Sequence, residues 1–406
     1  AYGLMLPVVP LVWAARAAGH EVLLATTSEM TDVAARAGLP VIDVYPDRTS
    51  WAAYTALIGH PGDLSTAVPP EIVAAAHVPA PFAMFTALMT DGTAAAAHSF
   101  VPDVVATTGD HPAGSLAARA AGVPVLEVGN RISWSHRDAD WRSPIDAFAG
   151  PGVLDPLRAR LGIPADTPTI IARIDPRAPS MGGLDADQPD PRDGRPWWPM
   201  QYVPYNGGAV LPDWLAARRQ RPRIGVTLGT VVPMMSGTTS LSVVLEALAD
   251  VDADVVLAAG AADLGALGTL PDNVRSVGYL PLSVFLPTCD LLVHHGGSGT
   301  TAAPLFYGVP QLVLPSFADN PLSGQRVADR GVGLSQDPST LTGELVRDLV
   351  LRLLTDPSFG AAALEVQAEI AAQPSPATII DRLDRELASR LPRAPGRGAG
   401  AADERL

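Results

Sequence analysis

At 406 residues the chain is long enough for two ordinary domains, and 47% hydrophobic against 17% charged residues excludes a disordered or fibrous chain. A net charge of −14, with a pI near 4.9, excludes a general basic field for nucleic acid or an anionic membrane, so an anionic ligand would be held by local N–H groups and a few side chains. The single Cys289 excludes an intrachain disulfide and fits a reducing cytoplasm; with no visible signal peptide and no bilayer-length apolar run, the expected location is cytoplasmic.

The chain begins in what reads as a loop, AYGLMLPVVP, followed by a helix over 8–18 closed by Gly19. Strands are expected at 20–25 and 40–44 around a helix at 29–37, and this rhythm indicates a parallel sheet lacking one earlier strand. Prolines accumulate over 47–81, which reads as a long mobile connection. A helix at 83–100, a strand at 103–106, a helix at 113–121 and a strand at 124–128 continue the alternation. Residues 176–199, rich in Pro, Gly and Asp, read as a linker. A second α/β set follows, with strands at 224–228, 254–259, 274–277, 291–293, 311–314 and 332–334. Helices at 239–248, 321–330 and 341–354 alternate with them, and two more at 361–372 and 377–390 close the chain. The expected division is an N-terminal domain over 1–200, a C-terminal domain over 201–375, a closing helix over 376–391 and a disordered tail over 392–406. Two such domains would place their ligands in the cleft at the carboxyl ends of the strands.

Residues 291–302, LLVHHGGSGTTA, carry the strongest signal. A buried strand runs into a glycine turn and then a helix, which leaves unpaired backbone N–H groups at the positive end of the helix dipole. Gly296, Gly297 and Gly299 allow close backbone approach, Thr300 and Thr301 add hydroxyls, and His295 can donate to a phosphate oxygen. The stretch reads as a diphosphate cradle. For His294 a hydrogen-bonded structural role is the expectation. Residues 297–302 also fit a dinucleotide fingerprint, with Asp319 at the spacing of its ribose acid, but that fingerprint normally opens a domain. A metal reading fails on geometry, since adjacent strand residues point to opposite faces and no Cys, Asp or Glu cluster lies beside the histidines.

These residues, with VGYLPL at 277–282 and GVPQLVLP at 308–315, resemble the donor-binding region of glycosyltransferase family 1. The likeness is to bacterial enzymes that glycosylate polyketide, enediyne and macrolide natural products. PVVPL at 7–11, RAAGHEV at 16–22, YVPYNG at 202–207 and LGT at 228–230 belong to the same pattern. The resemblance implies a GT-B fold of two Rossmann-like domains facing a cleft, with a C-terminal helix crossing back. It implies inverting transfer of a sugar, commonly a TDP-deoxysugar, without a catalytic metal or other cofactor. A nucleotide-sugar donor and a small-molecule aglycone are the expected partners, with a homodimer left open. By the same resemblance His295, Gly297, Ser298, Gly299, Thr300 and Thr230 fall on the diphosphate, Tyr279 and the Leu280 backbone on the base, and Asp319 and Asn320 on the sugar hydroxyls. Asn320 stands where the family has Gln.

The acceptor half departs from the family. Its general-base His falls at Leu4, and the carboxylate supporting that His falls near Thr108; neither residue can take a proton. Some relatives that make C-glycosides also lack the His, because an electron-rich aromatic carbon attacks without it. Asp110 and His111, after a strand's carboxyl end, and Asp138 or His136, after Trp134, are the candidate replacements. Leu4, Phe82 and Trp134, with Phe85 and Met89, are candidate walls of an apolar acceptor pocket. His60, His77 and His98 read as structural or surface residues. The activity expected is transfer of a deoxysugar to an aromatic or macrocyclic aglycone as an O- or C-glycoside. The alternative is a weakly catalytic binding partner with the same fold.

Overall fold

The computed structural model describes residues 2–46, 80–109, 111–133, 135, 137–138, 154–166, 168–227, 229, 239–260, 265, 268–316 and 319–390, with backbone alone for 80–84 and 239. The expected connection over 47–81 thus lies almost wholly outside them, and the tail over 392–406 entirely so.

In the N-terminal half, β1 (Leu24–Thr26) pairs in parallel with β2 (Val41–Asp43) as a separate two-stranded sheet. A five-stranded sheet follows, built from β3 (Val105–Thr107), β4 (Val125–Val128), β5 (Ile170–Asp175), β6 (Gln188–Pro189) and β7 (Pro196–Pro199). Its order is β3-β4-β5-β7-β6, parallel except at the β6–β7 edge. The first residues are not a loop. Tyr2–Met5 is helical and Leu6–Val8 a tight turn of helix, because Met5, Leu6 and Val9 turn inward. Nor is 176–199 simply a linker. It contributes β7, whose Trp197 and Trp198 are buried, and proline is tolerated there because it stands at the two ends of the strand.

The C-terminal half is one parallel sheet of β8 (Arg223–Thr227), β9 (Asp254–Leu257), β10 (Val274–Ser276), β11 (Leu291–His294), β12 (Gln311–Val313) and β13 (Gly333–Ser335). Its order, β10-β9-β8-β11-β12-β13, reverses direction at β8 and β11, the place where open α/β sheets bind ligands. β11 is flanked on both sides and buried along its whole length, hence its unbroken apolar run.

Two apolar contacts help fix one half against the other. Ile132, Ala178 and Met181 of the N-terminal half pack with Leu305, Val327 and Ile370 of the C-terminal half. The last helix, Pro376–Arg390, buries Ile379, Ile380 and Leu383 against Leu11, Leu126 and Trp198 of the N-terminal core, and Arg382 lies 4.1 Å over the Trp198 ring.

Candidate functional site

β11 delivers His294 and His295 to the carboxyl edge of the sheet, where the chain turns at Gly296 and starts the helix Ser298–Tyr307. Gly296 has φ +89°, and a Cβ there would lie 2.9 Å from the Asn320 carbonyl oxygen. Gly297 caps the helix with no side-chain partner, and the first backbone bond runs from Thr301 N–H to the Gly297 carbonyl at 2.8 Å. The N–H groups of Ser298, Gly299 and Thr300 are therefore left to a ligand. A Cβ at Gly299 would meet nothing within 4 Å, so the helix opens onto free space at that position.

The two histidines have different fates. His294 is fully buried, its Nε2 2.8 Å from Gln311 Oε1, while Nδ1 accepts from Gly296 N–H at 3.1 Å. It fixes the turn, as the structural reading has it. The ring of His295 lies between two glycines, for a Cβ on Gly229 or on Gly297 would come within 2.5 Å of it. Its Nδ1 is buried and has no hydrogen-bond partner. Burial pushes His294 down to about 3 and His295 down to about 4, the latter opposed by the Asp319 charge. Both rings are thus neutral at pH 7, and His295 can offer a ligand a hydrogen bond but no positive charge.

Asp319, just ahead of the helix Asn320–Arg330, is buried at the edge of the cradle. Its Oδ2 accepts from Ser133 Oγ at 2.6 Å and from Ser298 Oγ at 3.5 Å, and Oδ1 pairs with Arg131 Nη1 at 2.8 Å. Asn320 is buried with its Nδ2 unpartnered. At the end of β10, Tyr279 stands 53% exposed, its hydroxyl donating to the Asn206 carbonyl at 2.6 Å, while Leu280 is buried. A ring held by its hydroxyl with a face in solvent is suited to stacking.

Facing the cradle is a cleft lined by Pro7 and Pro10, Gly129 to Ile132 after β4, Tyr202, Ser298, Gly299 and Ala302. Leu4 is half-buried in the first helical turn, three residues ahead of Pro7. His111 follows β3 and is pushed down to about 4 by burial, and its Nε2 has no partner. Asp138 is differently placed from what a general base requires. Its carboxylate is held by Arg177 at 2.9 Å and by Arg326 at 2.8 Å, and it accepts from Ser135 N–H at 3.1 Å. Both of its oxygens are thereby taken up by donors of the fold. Asp110, Thr230, Trp134 and His136 lie outside the described residues, as does the side chain of Phe82. Sequence reasoning missed Arg131, Ser133 and Arg326. The first two follow the carboxyl end of β4, a positional signal that was legible, whereas nothing local marks Arg326.

The chain matches the family described as erythromycin biosynthesis protein CIII-like, its N-terminal domain over residues 13–69 and 70–229 and its C-terminal domain over 242–386. It belongs to this family of bacterial antibiotic glycosyltransferases. Elloramycin glycosyltransferase ElmGT of Streptomyces olivaceus is 36% identical over 94% of each chain. Among solved structures, the glycosyltransferase SnogD of Streptomyces nogalater is 33% identical with a TM-score of 0.77, covering 95% of this chain and 97% of that one. SsfS6 of Streptomyces sp. SF2575, complexed with thymidine diphosphate, is 31% identical with a TM-score of 0.74 over the same shares. The fold is GT-B, and the chain is a glycosyltransferase.

Proposed function

We propose that this glycosyltransferase moves a deoxysugar, with inversion, from a TDP-sugar to an aromatic or macrocyclic aglycone, forming an O- or C-glycoside in antibiotic biosynthesis without a resident metal or cofactor. One observation carries the reading. The uncapped helix start at Ser298 and the open space at Gly299 lie on the wall of the cleft, and at the same turn the ring of His295, its Nδ1 without a partner, stands between Gly229 and Gly297. Neutral donors fixed before the reaction meet the charge that grows on a departing diphosphate without having to reorganise. Thymidine diphosphate in the related SsfS6 supports TDP as the nucleotide. In this reading Tyr279 is the base platform, and Asp319 and Asn320 meet the sugar hydroxyls. The membership of the family favours an enzyme over a mere binding partner.

In the transfer, a lone pair or ring carbon of the acceptor bonds to the anomeric carbon from the face opposite the diphosphate. The carbon–oxygen bond to the diphosphate breaks, and its electron pair stays on the phosphoryl oxygen. Of the candidate bases, His111 keeps an Nε2 with no hydrogen-bond partner after the carboxyl end of β3, whereas Asp138 is committed to two arginines; burial makes the imidazole a weak base, so it can serve only once an acceptor's hydroxyl is set against it. A test is incubation with TDP-sugars and phenolic acceptors, following TDP release and glycoside mass. Turnover retained in Leu4→Ala but lost in His295→Ala is the expected result. TDP binding with no turnover on any acceptor would return the chain to a binding role.

A further inference from the structure

The cradle poses an electrostatic problem that its own half of the molecule does not solve. A nucleoside diphosphate is multiply anionic, His295 is neutral, and Asp319 places a carboxylate oxygen 3.5 Å from Ser298 Oγ, at the start of the very helix that should receive phosphate. An unbalanced carboxylate there repels the ligand. The balancing charge comes from the opposite half. Arg131 pairs with Asp319 at 2.8 Å, and the next residue along, Ile132, donates its N–H to Ser298 Oγ at 3.4 Å. The guanidinium therefore stands beside the phosphate-binding end of the helix, on the far wall of the cleft. The pair is largely shielded, with side chains 16% and 11% exposed, so an arginine leaving Asp319 needs another anion or the carboxylate needs other donors.

We propose that Arg131 is a two-position clasp, holding Asp319 across the cleft and turning to the terminal phosphate of a bound nucleoside diphosphate, which releases Asp319 to the donor sugar's hydroxyls. This rests on the donor reading of the cradle given above. The exchange conserves charge pairing at each stage: Arg131 trades a carboxylate for a phosphate, while Asp319 trades a guanidinium and the Ser133 hydroxyl for sugar hydroxyls. When the anomeric bond breaks and its electron pair passes to the phosphate, Arg131 meets that charge from the acceptor side. Before the exchange Ser133, at 2.6 Å, holds Asp319 beside the arginine. A planar two-pronged cation suits both partners, since carboxylate and phosphate each take it bidentately.

The test is calorimetric titration of the full chain with thymidine diphosphate and thymidine monophosphate. Arg131→Gln is expected to weaken the diphosphate about tenfold or more and to leave the monophosphate, which lacks the terminal phosphate, nearly unchanged. Arg131→Lys keeps the charge but not the two-pronged geometry and is expected to restore part of the difference. Asp319→Asn frees the guanidinium, so it should bind the diphosphate several-fold tighter while turnover with a TDP-sugar falls. A purely structural latch between the halves predicts the reverse sign for Asp319→Asn, and that outcome, or an equal loss of both nucleotides in Arg131→Gln, overturns the clasp. If Arg131→Gln does not fold, the sign of the Asp319→Asn effect decides alone. Wild-type protein that binds neither nucleotide overturns the donor cradle itself, and the clasp with it.

Discussion

Arg131 Nη1 and Asp319 Oδ1 meet at 2.8 Å although 188 residues separate them in the chain. One follows a strand of the N-terminal sheet and the other immediately precedes a helix of the C-terminal half, so their ion pair bridges the two halves at the mouth of the cradle. Beside it, Arg326 donates to the Ser133 carbonyl and to Asp138, tying the same loop to the helix Asn320–Arg330. The cleft is thus joined by charge at the point where a donor would enter.

Adjacent histidines should respond oppositely to substitution. His295→Gln removes the ring held between Gly229 and Gly297 and should lower turnover on the order of 10²-fold, the usual cost of one lost donor to a developing anion. His294→Ala strips partners from Gln311 Oε1 and Gly296 N–H and should instead cost about 1–3 kcal/mol of stability. Steady-state kinetics and urea unfolding of the two variants check this, and an exchange of the two effects would refute the roles assigned.

Gly299→Ala separates binding from folding. No atom lies within 4 Å of the added Cβ, and alanine in a helix is favoured over glycine by roughly 0.5–1 kcal/mol, so the melting temperature should hold or rise. The methyl group nevertheless projects into the space where phosphate would approach. Thymidine diphosphate affinity should fall about tenfold, as for one lost charge-assisted contact, read by titration beside a thermal melt.

Asp138 and His111 are distinguishable as bases. Arg177 is fully buried, and Asp175 and Asp138 hold its pKa well above the usual arginine range, against the cost of burial. Asp138→Ala leaves that cation short of a partner and should destabilise the protein by about 3 kcal/mol, with turnover per folded molecule little changed. His111→Gln should do the opposite, lowering turnover by about 10²-fold, the scale of general-base catalysis. Rates normalised to the folded fraction decide between them.

Acid should weaken the fold through its buried histidines. His111, His294 and His295 have folded-state pKa values of about 4, 3 and 4, below the 6.5 of an exposed imidazole. Well above pH 6.5 all three are neutral in both states and contribute no pH dependence. Below it the unfolded chain takes up protons that the folded chain refuses, so stability falls with each step down toward pH 4. The slope approaches about 1.4 kcal/mol per pH unit for each histidine. Urea midpoints between pH 7 and pH 4.5 should show a shallower fall in His294→Gln than in wild type; parallel curves would contradict the assignment.

Local chemistry made much of the second half legible. The run from Leu291 to Val293 is apolar because β11 is buried on both faces, Gly296 follows from the positive φ of the turn, and Gly297 from the His295 ring that a Cβ there would strike. That sufficed to read a phosphate-binding strand–turn–helix and, with the neighbouring motifs, the family. β5 and β7 left no such mark. β5 carries Arg173 and Asp175, charges that argue against a buried strand; Arg177 pairs with Asp175 from two residues on, but Asp190 and Asp193 reach Arg173 only when the edge of the sheet folds back on it. Likewise Asp138 reads as a free loop acid in sequence and becomes half of an ion pair only when Arg177 and Arg326 are brought to it. Burial and turn geometry act over a few residues and are written along the chain. Charge compensation is settled between residues far apart in sequence, and only the packed molecule decides which arginine each carboxylate meets.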